Sequence, residues 1–200
     1  MKNESFIVEG NCTLSGRIKP QGAKNEALQI ICAVLLTPEK VRIENIPDIR
    51  DVNLLIQLLE DTGVKVNRID GSTCEFQADD IQIDYLRSDA FKQQGSGLRG
   101  SVMILGPLLA RFGIGYIPRP GGDKIGRRRI DTHLIGFEKL GAKFLFDQDN
   151  GFFKVEATQL SGTDMLLDEA SVTGTANILM AAVMAKGKTT IYNAACEPYI

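Results

Sequence analysis

Apolar positions along the chain fall into a pattern that recurs. Residues 28–36 (LQIICAVLL) are nearly all apolar and are followed by a short alternating stretch, residues 41–45 (VRIEN), and by Pro47. Residues 177–185 (NILMAAVMA) are followed in the same way by residues 189–193 (TTIYN). A looser copy lies between them, where residues 102–111 (VMILGPLLAR) lead into residues 114–117 (IGYI) and Pro120. Each copy predicts an apolar helix, a short turn and a strand. In the first and middle copies an amphipathic stretch comes next, residues 52–66 and residues 133–144, with apolar positions at helical spacing. Gly63 and Gly141 stand where a helix-ending residue adopts the left-handed conformation.

The repeat therefore reads as strand-helix-strand-helix-strand, used about three times, and the fold class as α/β. A helix that is apolar nearly all round is buried on every side, so the first helix of each copy belongs inside and the sheets outside. By analogy with the first copy, residues 193–200 should lead into another helix and strand. The sequence ends there, so the third copy reads as unfinished and the chain as truncated. The competing reading is a natural end after a strand.

Composition adds boundaries. The 200 residues are 44% hydrophobic and 24% charged, enough for one good core or two small ones. A formal charge of -2 argues against a general nucleic-acid or membrane-surface binder, which carries a basic excess. The N-terminus has no apolar run behind it, so no signal peptide is expected, and no apolar stretch is long enough to span a bilayer. Cys12, Cys32, Cys74 and Cys196 form no CxxC pair, so neither a metal site nor a redox motif is expected. Cys32 falls in an apolar helix pattern and reads as a core residue. A cytoplasmic, reduced protein is the simplest expectation.

Three stretches could carry chemistry. Residues 21–25 (QGAKN) precede the first apolar helix, so Lys24 and Asn25 sit at its start, where free N–H groups and the helix dipole attract anions. The plain alternative is a loop with Asn25 as N-cap and Lys24 solvated. Arg99, just before the middle apolar helix, mirrors Lys24 in the repeat; the third copy offers residues 171–175 (SVTGT) instead. Equivalent helix starts in a repeated fold converge on one side. Residues 120–133 (PGGDKIGRRRIDTH) combine three glycines, four cations and two carboxylates in a long loop, suited to closing over a phosphorylated ligand with N–H groups and guanidinium forks. The alternative is a solvated basic loop or a nucleic-acid patch, although no aromatic residue interleaves the arginines for base stacking. His133, the single histidine, reads as a structural hydrogen-bonding group more readily than as a catalyst.

Taken together, residues 22–25, Leu98 and Arg99, residues 106–113, 120–122 and 125–127, Asp131 to His133, and residues 193–198 resemble, in order and spacing from residue 6 to residue 200, the UDP-N-acetylglucosamine enolpyruvyl transferases. The sister 3-phosphoshikimate 1-carboxyvinyltransferases share the repeated fold but not this set. The resemblance implies an inside-out α/β barrel of inner helices and outer sheets, in a protein about twice as long with two such domains and the active site between them. Residues 1–21 would supply the first strand of the second domain, with the strand over residues 5–19. Residues 22–200 would form the first domain, with three repeats. It implies no metal and no organic cofactor, and phosphoenolpyruvate and UDP-N-acetylglucosamine as small-molecule substrates. Lys24 and Arg128 would hold the phosphate of phosphoenolpyruvate and Asn25 would meet the amino sugar. Arg99 and the run Arg128, Arg129, Ile130, Asp131 and Thr132 would contact the UDP-sugar. Ser171 and Val172 would lie on the uridine side, beside Glu169, where the family often has a basic residue. The loop position that usually carries a catalytic Cys, the residue alkylated by fosfomycin, is Asp123 here, as in some members. A carboxyl serves as the acid there if its pKa is raised from about 4. Insensitivity to the drug is the corresponding expectation.

Overall fold

The computed structural model of the protein describes residues 5–118, 130–148 and 150–200. Two units share one plan. In the first, α1 (Lys24–Ala33) tightens into a 3₁₀ turn, Val34–Leu36, and is followed by β1 (Lys40–Ile43), α2 (Arg50–Asp61), β2 (Lys65–Arg68) and β3 (Cys74–Gln77). These strands form an antiparallel sheet in the order β1-β3-β2, with Val41 and Val66 both opposite Phe76. A 3₁₀ turn, Ile83–Arg87, and α3 (Asp89–Gly97) connect to the second unit. There a 3₁₀ turn, Arg99–Ile104, runs into α4 (Leu105–Phe112), then β4 (Ile114–Pro118), α5 (Asp131–Lys139), β5 (Lys143–Asp147) and β6 (Phe152–Glu156), with sheet order β4-β6-β5. The third unit holds β7 (Asp164–Leu166), α6 (Val172–Ala182) and β8 (Thr190–Tyr192), with β7 and β8 parallel.

The layering agrees with the sequence: α1, the Arg99–Ile104 turn with α4, and α6 touch one another in the centre, and the sheets lie outside. The order within a unit differs. It is helix-strand-helix-strand-strand, because a hairpin follows the second helix and its last strand takes the middle of the sheet. Among the described residues, only the third unit has a strand directly before its inner helix. Residues 5–19 form no strand here. They stand away from the packed units, with Phe6, Val8, Leu14 and Ile18 almost fully exposed.

Local chemistry explains the boundaries. Gly63 and Gly141 both take positive φ, 103° and 98°. Behind them Val64 N–H donates to Leu59 O, and Ala142 N–H to Phe137 O, so both outer helices end in the same glycine cap. Asn45 and Asn193, which follow β1 and β8, share a left-handed conformation at φ 58° and 57°. Pro107 lies in the first turn of α4, where a missing N–H is tolerated; further in it would break the ladder, so the preceding residues wind as 3₁₀.

One expectation fails in part. α6 is not buried on every side: Val183, which caps it, is 68% exposed and Leu179 is 40% exposed. The reason is an offset in the packing. α2 covers α1 and also touches the Arg99–Ile104 turn of the next unit, while α5 of the second unit packs on α6. With α5 on one flank only, the other flank of α6 faces solvent.

At Gly106, α4 and α6 approach closely. A Cβ there would lie 2.2 Å from the backbone O of Asn177 and 2.4 Å from its Oδ1. Gly106→Ala should therefore destabilise the fold by about 3 kcal/mol or more, through overpacking and the loss of a buried hydrogen bond. Chemical denaturation checks this; a loss under about 1 kcal/mol would contradict the close approach.

Candidate functional site

The starts of α1 and α2 are linked, and so are those of α5 and α6. Lys24 is the first residue of α1, whose N-cap is Ala23 with no side-chain cap, so Asn25 is not the cap; it lies exposed in the first turn. The entry is fixed by Gly22, where a Cβ would fall 1.9 Å from the carbonyl oxygen of Asn45. The ammonium of Lys24 is not simply solvated: its Nζ donates to Asp51 Oδ2 at 2.5 Å, and Asp51 sits in the first turn of α2. On the other side, Leu28 of α1 meets Gly100, next to Arg99, which opens its 3₁₀ turn half-buried.

Ile130 is the N-cap of α5 and Asp131 its exposed first residue. Thr132 is buried, with Oγ1 at 3.1 Å from Asp168 Oδ1 and 3.3 Å from Glu169 Oε1. Its one proton serves one carboxylate at a time. Ser171 is the N-cap of α6, its Oγ accepting from Gly174 N–H at 3.1 Å, and Val172 is the first helical residue. A Cβ on Gly174 would touch Thr132 Cγ2 at 2.9 Å, so α5 and α6 begin in contact. Asp131 and Thr132, expected in a loop, open α5 instead, just ahead of His133, where the amphipathic stretch was expected to begin. Asp123, Arg128 and Arg129 lie outside the described residues.

The structure thus brings Ile130, Asp131, Thr132, Ser171 and Val172 together where α5 and α6 begin. The charge of Arg99 is felt by His133 in α5, and α1, which Lys24 and Asn25 open, meets the Arg99–Ile104 turn through Leu28 and Gly100. The adjoining starts of α5 and α6 bring the positive ends of two helix dipoles side by side. Sequence reasoning missed Asp51 and Asp168. The signal for Asp51 was an acid two residues into a helix that begins after Pro47; Asp168 carried none.

His133 lies behind these residues, 2% exposed. Burial, and secondarily the charge of Arg99, pushes its pKa down from 6.5 to about 4. Its native form binds a proton less readily than the unfolded form. The stability it contributes is therefore present above pH 6.5 and lost as pH falls towards 4. Linkage gives about 2 kcal/mol less stability at pH 5 than at pH 7 from this group. Denaturation of wild type and His133→Gln at both values checks it, since the variant lacks that component; equal pH dependence in the two would contradict a neutral buried histidine.

A cleft of about 850 Å³ on the outer side of the second sheet, lined by residues that include Arg87, Tyr116, Phe146 and Lys154, contains none of the residues expected from the sequence. Among the described residues no group of three or more His, Cys, Asp or Glu could hold a metal ion, and no helix is long and apolar enough to cross a membrane. All four cysteines are free. Cys32 and Cys74 are buried, and burial raises both thiols.

The chain is 61% identical to a UDP-N-acetylglucosamine 1-carboxyvinyltransferase of Bacteroides fragilis over 98% of its length, and 60% identical to that of Porphyromonas gingivalis. It spans about 45% of the length of these relatives. In fold it is similar to the enolpyruvyl transferase NikO from Streptomyces tendae, with a TM-score of 0.72 at 20% identity, over 95% of this chain and 43% of that one. It is also similar to EPSP synthase from Acinetobacter baumannii, with a TM-score of 0.61 at 14% identity, over 92% and 42%. The family model described as EPSP synthase (3-phosphoshikimate 1-carboxyvinyltransferase) matches residues 8–200, and on that match the chain belongs to this family.

Proposed function

We propose that this chain forms one side of the active site of a cytoplasmic UDP-N-acetylglucosamine 1-carboxyvinyltransferase, and that residues 22–200 are its first domain. Residues 1–21 begin the second domain, which would account for the exposed apolar side chains over residues 5–19. The observation that carries the reading is the joined start of α5 and α6, which carries Thr132 and Ser171, beside Lys24 at the start of α1, in a chain 61% identical to a protein of that name.

In the reaction a sugar hydroxyl gives up its proton to a base and adds to C2 of phosphoenolpyruvate, while C3 takes a proton from an acid. C3 then loses a proton, phosphate leaves with its bonding electrons, and the enolpyruvyl ether remains. Lys24 and Arg128 hold the phosphate, whose negative charge they offset as it departs. Asn25 meets the amino sugar. Arg99, Arg128, Arg129, Ile130, Asp131, Thr132, Ser171 and Val172 bind the UDP-sugar, and Asp123 is the acid at C3. No metal or organic cofactor enters.

Phosphate release by the full-length protein is the test. Turnover is expected with UDP-N-acetylglucosamine and none with shikimate 3-phosphate, while the 200-residue chain alone is inactive because its half-site is open to water. Turnover with shikimate 3-phosphate, or binding of the UDP-sugar without turnover, would favour the sister enzyme or a non-catalytic binding module.

A further inference from the structure

A buried hydrogen-bond chain links the second unit to the start of α6 and ends at a hydroxyl to which the proposed reaction assigns no role. Asn177, fully buried on α6, accepts from Gly106 N–H through Oδ1 at 2.8 Å. Its Nδ2 reaches Val102 O at 2.9 Å and His133 Nδ1 at 2.9 Å. His133 Nε2 lies 3.2 Å from Thr173 Oγ1.

The direction of this chain is fixed by its backbone ends. A backbone N–H can only donate and a carbonyl can only accept, so the Asn177 amide has one orientation. Both protons of Nδ2 are then spent, one on Val102 O and the other on His133 Nδ1. Nδ1 must therefore be the bare nitrogen and Nε2 must carry the proton. Nε2–H donates to Thr173 Oγ1. The hydroxyl, having accepted from inside, keeps its own proton for a partner on the other side. Thr173 is exposed at the first turn of α6, one residue beyond Val172. A threonine whose oxygen accepts from a histidine that is itself held by a buried amide is a preset donor.

We propose that Thr173 is a further substrate-contacting residue, donating its hydroxyl proton to an acceptor oxygen of the nucleoside diphosphate sugar held over the start of α6, with His133 and Asn177 as positioning residues. The inference rests on the function proposed above.

Two measurements test it. The chain has one histidine, so long-range proton–nitrogen NMR of the 200-residue chain reads its tautomer without assignment ambiguity. The Nε2–H form is expected; the Nδ1–H form would overturn the relay. Calorimetry on the full-length protein then compares UDP-N-acetylglucosamine, UDP and N-acetylglucosamine 1-phosphate. Thr173→Val keeps the volume and should weaken UDP-N-acetylglucosamine binding about 10-fold, whereas Thr173→Ser should restore it. Loss confined to UDP places the acceptor on the nucleotide; loss confined to the sugar phosphate places it on the sugar side. Wild-type binding by Thr173→Val, or failure of Thr173→Ser to rescue, would overturn the proposal alone. Absence of UDP-sugar binding by the wild type would overturn the proposed function and this inference with it.

Discussion

Lys24→Ala in the full-length protein should lower kcat/KM by about 100-fold or more while leaving the fold nearly as stable. The two effects separate because they draw on different physics. Lys24 and Asp51 are each about 40% exposed at their side chains, and a partly solvated ion pair contributes only about 0–1 kcal/mol to folding. Facing a phosphate excluded from water, the same ammonium supplies several kcal/mol of transition-state stabilisation. Asp51 holds Nζ over the start of α1, so Asp51→Asn should reduce the rate less than Lys24→Ala does. Lys24→Arg should fail to rescue, because a planar fork does not replace a compact point charge. Steady-state phosphate release, read beside thermal unfolding, checks the set; near-normal kinetics for Lys24→Ala would remove it from the site.

Fosfomycin should leave no covalent adduct at the catalytic loop of the full-length protein. Opening the epoxide needs a strong nucleophile, and thiolates serve once nearby cations lower their pKa. Asp123 offers a carboxylate, a far weaker nucleophile. Cys32 and Cys74 are no substitutes, being buried with their thiols pushed up. Cys12 and Cys196 are exposed but have no part in the proposed site. Asp123→Cys should gain the adduct and keep turnover, since a thiol can also deliver a proton; Asp123→Asn should lose turnover because an amide cannot. Mass spectrometry after incubation with drug and UDP-sugar decides it. A wild-type adduct at the loop, or no adduct on Asp123→Cys, would mean that the acid lies elsewhere.

What could be read from the chain beforehand followed from strong, local signals. The inner helices announced themselves by being apolar all round, and Gly63 and Gly141 marked the ends of α2 and α5 by the only conformation that suits them there. α3 was missed because residues 89–97 carry three polar or charged residues in a row and two glycines, with little apolar periodicity to notice. The middle strands β3 and β6 are four and five residues long, too short for alternation to stand out, yet Phe76 and Val155 on them are fully buried. Of the candidate site, Lys24 and Arg99 were legible through their equivalent places before inner helices. Asp51, Asp168 and the Asn177–His133–Thr173 chain were not, because each depends on elements far apart in sequence meeting side by side.

The offset packing of outer helices on the neighbouring unit bears on how the molecule comes apart. In a stacked solenoid each repeat meets its neighbour across one seam and can melt from an end. Here α2 rests on the opening turn of the second unit and α5 lies against the inner helix of the third, so each seam is bridged by an element that belongs to the unit before it. Losing the first or the second unit strips cover from the next. Three sequence repeats therefore make one cooperative melting body, and a cut within either of the first two removes support from residues well beyond the cut.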